Sequence, residues 1–351
     1  MGAELLNVER TVNTSGLSVP VGISGTGMYV PDQLVTNEDL VQNLDTSDEW
    51  IVTKTGIRER RFLREGELTS DMCVKAAEAA MADAGVTPGD LDAIIISTFT
   101  FDQLLPSTAL IVRERLGADR AIPIDLNQAA CAGSIYAIWT GCHLMQNQQI
   151  RCVLVIGAEA LSRITDPEDR STRVFFGDAA GAVVLNRTQS NYGILSWDLD
   201  AALSYSVEVP AGGAKNPTTA DTVRQREHFL KMDGRKVWTE ANQRLPNTIQ
   251  SVIKKAGLHF GEIDHFLIHQ ANLNIVKEVF NTLGESMSKA TNNVDRFGNT
   301  GAATVFTVLH EALARGRIKH GDRIIMAAIG AGFIWGSLCF RYSDESWKGD
   351  Q

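Results

Sequence analysis

Among the five cysteines of this 351-residue chain, Cys131 stands in a setting suited to a nucleophile. It lies in Asn127-Gln128-Ala129-Ala130-Cys131-Ala132-Gly133-Ser134, after an apolar run at Ile122–Leu126 that reads as a strand. A pattern that reads as a helix follows, from Ala132 to about Met145. A thiol at a helix N-terminus faces free N–H groups and the positive end of the macrodipole, which should lower its pKa and favour the thiolate. Small neighbours on both sides leave the sulfur accessible. Cys73, Cys142, Cys152 and Cys339 fall inside helix or strand patterns and read as small buried hydrophobes. His269 ends a second apolar run, Phe266-Leu267-Ile268, and strand ends are where α/β folds place their chemistry. Asn299 lies in Phe297-Gly298-Asn299-Thr300-Gly301, a glycine-bracketed loop that opens a helix. Cysteine, histidine and asparagine in such positions form a set for nucleophilic catalysis. The loop Gly330-Ala331-Gly332-Phe333-Ile334-Trp335-Gly336 would let backbone N–H groups approach a ligand, as an oxyanion hole requires.

An internal repeat explains how these residues could meet. Residues 84–96 align without a gap on residues 256–268, an offset of 172 residues as from Gly85 to Gly257, and the run beginning at Arg151 falls on Arg323 at the same offset. His269 then overlays Ser97. Cys131 overlays Ala303, so Asn299 opens the helix that mirrors the Cys131 helix. Each copy reads as helix, Gly-terminated turn, apolar strand, long loop, helix, apolar strand, with helices expected over 72–83 and 242–255. Short continuous apolar runs are the pattern of strands covered on both faces. The expectation is a duplicated α/β architecture with helices between and outside two sheets. We place an N-terminal extension at 1–18, one half at 19–187 and the other at 188–351. The Gly/Pro/Thr-rich stretch from about 201 to 224 reads as a surface loop with no packing role.

Composition narrows the function classes. The cysteines are odd in number and widely spread, without metal-ligand spacing, which excludes a disulfide scaffold and points to a reduced, cytoplasmic setting without a metal. With 33 Lys and Arg against 42 Asp and Glu, a net charge of −9 argues against nucleic acid or an anionic membrane as the partner. No apolar run approaches the ~18 residues of a membrane span, and no signal-peptide pattern is visible at the N-terminus.

Residues 45–60 (DTSDEWIVTKTGIRER), Ala129-Ala130-Cys131-Ala132-Gly133, Phe176-Gly177-Asp178, His269-Gln270-Ala271-Asn272, Gly298-Asn299-Thr300 and Gly332-Phe333-Ile334-Trp335-Gly336 together resemble the β-ketoacyl-acyl-carrier-protein synthase III family of thiolase-fold condensing enzymes. The match runs in order from about Val19 to Tyr342. It implies a layered α-β-α-β-α core and a homodimer. Cys131 would take an acyl group from acyl-CoA, with its own N–H and that of Gly332 as the oxyanion hole. His269 and Asn299 would stabilise the enolate formed as a malonyl thioester, on a carrier protein or on CoA, loses CO2. Phe333 would flank the departing carboxylate. Trp50, Lys54, Arg170 and Asn272 would hold CoA. Leu105 and Ser134 would belong to the acyl pocket, Leu105 where a partner subunit gates it. Beyond acyl-CoA as substrate, no cofactor is implied.

Several positions depart from the family pattern. Asn274 and Thr239 stand where carrier-dependent members usually have basic residues, which weakens the electrostatic case for docking an acidic carrier protein. Lys54 replaces a frequent Arg and Arg235 a frequent Asn. Asp125 precedes Cys131 by one residue more than usual, Gln128 being the extra one. Ser134 replaces a frequent Phe, which would alter the acyl site. Fatty acid initiation and a specialised polyketide-type pathway both fit. A plain acyltransferase passing the group from Cys131 to an amine, alcohol or carrier is the alternative reading. A silent partner subunit is disfavoured by the intact Cys131, His269 and Asn299.

Overall fold

The computed structural model describes residues 15–127 and 130–345. The first fourteen residues of the expected extension, and Gln128 and Ala129 beside the nucleophile, lie outside the described residues.

In chain order the first part comprises β1 (Val21–Tyr29), β2 (Gln33–Thr36), α1 (Asn37–Val41), α2 (Asp48–Thr55), β3 (Glu59–Phe62), α3 (Thr69–Ala84), β4 (Ala93–Ser97), α4 (Thr108–Leu116), β5 (Ile122–Leu126), α5 (Gly133–Leu144), β6 (Cys152–Ala160), α6 (Arg170–Arg173) and β7 (Asp178–Arg187). The second comprises β8 (Gly193–Ala201), β9 (Val207–Glu208), α7 (Ala220–Arg224), β10 (Lys231–Met232), α8 (Gly234–Lys255), β11 (His265–Ile268), α9 (Leu273–Leu283), α10 (Val294–Phe297), α11 (Thr304–Ala314), β12 (Arg323–Gly330) and β13 (Ile334–Arg341).

Two sheets form the frame. One has five strands in the order β1-β7-β6-β4-β5, the other four in the order β11-β12-β13-β8. Strands β4 and β6 are buried along their whole length, as their unbroken apolar runs require. Helices α5 and α11 lie between the sheets, where Ile135, Ile138, Phe306 and Leu309 meet Ile95, Val155, Leu267 and Met326. Helix α3 presents Met72, Ala76, Ala77 and Ala80 to the outer face of the first sheet, a stripe at helical spacing. Helices α8 and α9 cover the second sheet through Leu245, Ile249, Val276 and Phe280. Each fully buried Ile, Leu or Phe in these layers contributes roughly 1.5–3 kcal/mol of transfer free energy.

The 172-residue repeat is visible as geometry, since β1 starts at Val21 and β8 at Gly193, and the 3-10 turns Pro88–Asp90 and Phe260–Glu262 stand at the same offset. It breaks at β5, whose counterpart is the short helix α10. The cause is the buried side chain of Gln270, whose oxygen accepts the N–H groups of Asn293 and Val294 and whose nitrogen donates to the Thr291 carbonyl. Backbone groups that would have paired as a fifth strand are thereby taken, and only an isolated bridge, Phe266 to Ala290, is left.

Three expectations change. Helix α8 begins at Gly234, eight residues before the expected start, because Asp233 caps it by accepting from the N–H groups of Arg235 and Lys236. Its polar first turns hide the apolar period. The stretch near 201–224 does take part in packing: β9 pairs with β10, Ala211 is buried, and Val207 and Val209 line the main cavity described below. The end of the expected extension is also anchored, with Leu17 on the central core and the Val19 N–H donating to Gln146 Oε1 at 2.9 Å.

Where the halves cross, Gly157 of β6 lies so close to the second half that a Cβ there would sit 2.3 Å from the Ala302 carbonyl oxygen. Only glycine permits that approach. Gly157→Ala should therefore cost about 1–3 kcal/mol of stability, read as a lower urea midpoint at unchanged slope.

Candidate active site

Cys131, His269 and Asn299 all line one cavity of about 530 Å³. Three elements bring them there. Cys131 occupies a 3-10 turn, Ala130–Ala132, that runs directly into α5. The residue before it, Ala130, has φ +43°, a left-handed conformation uncommon for a residue with a side chain. His269 follows β11, its N–H bonded to the Ala327 carbonyl of β12 at 2.8 Å. Asn299 is fixed from the other half: its N–H donates to the Phe175 carbonyl at 2.7 Å and its carbonyl accepts from the Gly177 N–H at 3.0 Å. The Asn299 side-chain oxygen accepts from the Gly301 N–H at 2.9 Å, which orients the carboxamide and leaves its NH2 as the donor for a ligand.

Electrostatics assign different roles to the three. Burial pushes the Cys131 thiol up to about 12, the Glu159 carboxylate adds to the rise, and the residue's own backbone N–H opposes it. Burial thus acts against the depressed thiol pKa expected from the helix N-terminus. Burial holds the His269 imidazole down at about 3, so it is neutral throughout the physiological range. Its Nδ1 is sealed without a partner, and its useful contact with a ligand is through Nε2. With thiol and imidazole so far apart, the resting pair is uncharged. A neutral imidazole and an oriented carboxamide are hydrogen-bond donors suited to a developing enolate oxygen.

The remaining walls are largely apolar: Phe99, Phe175, Val207, Leu230, Met232 and Trp238 among others, with Gly332 and Phe333 at the turn between β12 and β13. Among the described residues no group of His, Cys, Asp or Glu could hold a metal ion, and no helix is long and apolar enough to cross a membrane.

Comparison with known proteins accords with this geometry. Two family descriptions match, 3-Oxoacyl-[acyl-carrier-protein] synthase III over residues 124–202 and its C-terminal part over residues 253–342. The β-ketoacyl-[acyl-carrier-protein] synthase III of Symbiobacterium thermophilum is 44% identical over 325 residues, covering 92% of this chain and 98% of its own. The chain belongs to the β-ketoacyl-acyl-carrier-protein synthase III family. It is an acyltransferase of the condensing class with a thiolase-type fold. The crystal structure of the Aquifex aeolicus 3-oxoacyl-[acyl-carrier-protein] synthase III superposes with a TM-score of 0.84 at 38% identity, over 92% of this chain and 100% of that one. A priming β-ketosynthase from the R1128 polyketide biosynthetic pathway superposes with a TM-score of 0.85 at 29% identity, over 94% and 99%.

The other residues singled out in the sequence divide into two groups in this synthase. Trp50, Lys54, Asn272, Gly332 and Phe333 line the cavity with the three reactive residues. Trp50 is 37% exposed at the rim on α2, not packed in the core. Asn272 caps α9 through the Ile275 N–H. Arg170, Leu105 and Ser134 do not line the cavity. Arg170 lies 5.8 Å from the Trp50 ring and donates to the Asp45 carbonyl at 2.6 Å. Leu105 is 84% exposed. Ser134 is fully buried at the crossing of the halves, its hydroxyl donating to the Ala302 carbonyl. Asn274, where a basic residue is usual, donates to the Thr53 and Lys54 carbonyls and closes the end of α2. The sequence reading passed over Phe99, Val207, Val209 and Trp238, whose apolar side chains carry no chemical signal. It also passed over Glu159, which a lone carboxylate in the apolar run of β6 could have revealed.

The His269 resonances should show no titration between pH 5 and 9 by NMR of the imidazole. Because the unfolded chain takes up that proton near its ordinary value of 6.5, the stability contributed by neutral His269 is complete above that pH and is lost as pH falls toward 3.

Proposed function

We propose that the enzyme loads an acyl group from acyl-CoA onto Cys131 and condenses it with a malonyl thioester, with loss of CO2. The convergence of Cys131, neutral His269 and the oriented Asn299 carboxamide on one cavity carries this reading. In the first stage the Cys131 sulfur attacks the thioester carbonyl while the N–H groups of Cys131 and Gly332 stabilise the oxyanion. The C–S bond to CoA breaks, and CoA leaves with the thiol proton. In the second stage the malonyl thioester seats its carbonyl oxygen against His269 and Asn299. The bond to the carboxylate breaks, CO2 leaves past Phe333, and the electron pair becomes an enolate held by those two donors. The enolate carbon attacks the acyl-Cys131 carbonyl, and collapse of the tetrahedral adduct expels the Cys131 thiolate, which regains a proton. A soft sulfur nucleophile and neutral donors suffice for both stages.

Trp50 and Lys54 at the rim, with Arg170 beside Trp50, are the residues we assign to the nucleotide end of CoA, and Asn272 to its pantetheine arm. Whether the malonyl group arrives on a carrier protein or on CoA bears on Asn274, whose carboxamide is occupied in closing α2 and offers no charge to an acidic carrier. Two related halves, 19–187 and 188–351, remain our division of the chain.

Intact-mass measurement after incubation with a panel of acyl-CoAs should show an acyl increment on wild type and none on Cys131→Ala. His269→Ala and Asn299→Ala should keep the increment but lower CO2 release from malonyl thioester by roughly 100-fold or more. Acyl loading of wild type with no CO2 release from malonyl thioester would instead favour plain acyl transfer.

We also propose a homodimer through the edge of the first sheet. Strand β5 ends that sheet, with Ile122 half-exposed, and Leu104 and Leu105, in the segment before α4, are 76% and 84% exposed. Sedimentation at micromolar concentration should give a dimer, and Leu105→Asp with Ile122→Asp a monomer.

A further inference from the structure

Glu159 is buried beside the reactive residues, and the condensation described above gives it no part. It lies at the end of β6, opposite Ala179 of β7, and is wholly inaccessible to solvent. Its carboxylate accepts from the Thr100 hydroxyl at 2.6 Å, the Thr98 hydroxyl at 3.3 Å and the Phe99 N–H at 3.4 Å. The Thr100 hydroxyl in turn accepts from the Ala160 N–H at 2.7 Å. These bonds strap the segment after β4, including the cavity-lining Phe99, to the end of β6. On its other side Glu159 packs against Gly301, where a Cβ would lie 2.5 Å from the Glu159 Cγ, and Gly301 (φ +55°) is the residue whose N–H orients the Asn299 carboxamide. One side chain therefore touches both the wall of the cavity and the turn that aims Asn299.

Its largest influences are burial, which raises it, and the Thr100, Phe99 and Thr98 donors, which lower it. The titratable groups that feel its charge are the Cys131 thiol on the turn before α5 and the Cys73 thiol on α3. From β7, Asp178 turns away to the N–H groups of Leu63 and Ser162. The segment after β4 meets it through the Thr98 and Thr100 hydroxyls and the Phe99 N–H, its Asp102 accepting instead from the Ser70 N–H, and the turn at Gly301 meets it through backbone.

We propose that Glu159 is a positioning residue for the condensation: its carboxyl ties the Phe99 wall to the Asn299 turn, and its charge governs how readily the Cys131 thiol ionises. Burial raises the carboxyl to about 8, so it is neutral below that pH and an anion above it. As an anion it opposes a second buried negative charge on sulfur. As a neutral acid it removes that opposition, so below pH 8 the thiol ionises more readily than its behaviour above pH 8 would extrapolate to. A glutamate that served packing alone would leave the ionisation of Cys131 untouched.

The inference rests on Cys131 as the nucleophile, and the test reads that thiol directly by iodoacetamide alkylation, located by peptide mass, so it is independent of whether condensation occurs. In wild type the rate of Cys131 alkylation should rise with pH, flatten near pH 8 as Glu159 ionises, and rise again. In Glu159→Gln, which keeps the shape without the charge, the rise should be unbroken, and the rate at pH 9 should exceed wild type by about tenfold for a one-unit interaction. A wild-type profile without a break, or profiles that coincide in the two proteins, would overturn the proposal. Should Glu159→Gln not fold, Thr100→Val removes one donor that favours the carboxylate. It should move the break to higher pH, and an unmoved break would count equally against the idea.

Discussion

The hydrogen bonds that join Asn299 to Phe175 and Gly177 carry the backbone of the second half onto the first, and the reactive site depends on them. Asn299 reaches the cavity because its N–H and carbonyl are both taken by the Phe175-Phe176-Gly177 segment. Two residues further on, Gly301 and Ala302 press against Glu159 and Gly157. The crossing is tight enough that a methyl group has no room at Gly157, and Ser134 uses its hydroxyl to bind the same Ala302 carbonyl. Backbone contact at this distance is rigid in a way side-chain packing is not, since carbonyls and N–H groups have no rotamers to relax into. The Asn299 turn and the Cys131 turn are held at fixed spacing for this reason.

Desolvation by the same close packing decides the charge states. A cysteine at the mouth of a helix in water would be acidic, yet Cys131 is driven up to about 12, and an imidazole that would titrate near 6.5 in water is driven down to about 3. Both shifts favour neutral groups, which suits a pair of steps whose charge appears transiently on substrate oxygens. On the proposed reaction, Cys131 would be activated at the moment of attack by the oxyanion donors, not by a standing ion pair. Glu159 belongs to the same economy of charge, a carboxyl kept close to its neutral form by burial and steadied by hydroxyl donors.

Much of the fold is legible from residue order. Continuous apolar stretches such as residues 153–156 in β6 and 324–328 in β12, with β4, mark strands covered on both faces. The repeat at 172 residues places two such sets side by side. Departures from symmetry are where the sequence is silent. Gln270 looks like an ordinary polar residue in a motif, and only its burial reveals that its side chain replaces a strand of the second sheet. The polar first turns of α8 conceal a helix start that rests on the Asp233 cap.

Cys131, His269 and Asn299 are marked by type and spacing alone, since a thiol before a helix, an imidazole at a strand end and a carboxamide in a glycine loop are local signals. The duplicated sheets are marked too, because hydrophobic periodicity is local. What tertiary structure alone decides is which neighbours each side chain acquires from distant segments. It puts Ser134 at the crossing of the halves, leaves Leu105 and Arg170 outside the cavity, and brings the Gly/Pro/Thr-rich stretch over the site as Val207 and Val209. It also sets the protonation of Cys131, His269 and Glu159, because desolvation is a property of everything packed around a group and is written in no single stretch of chain.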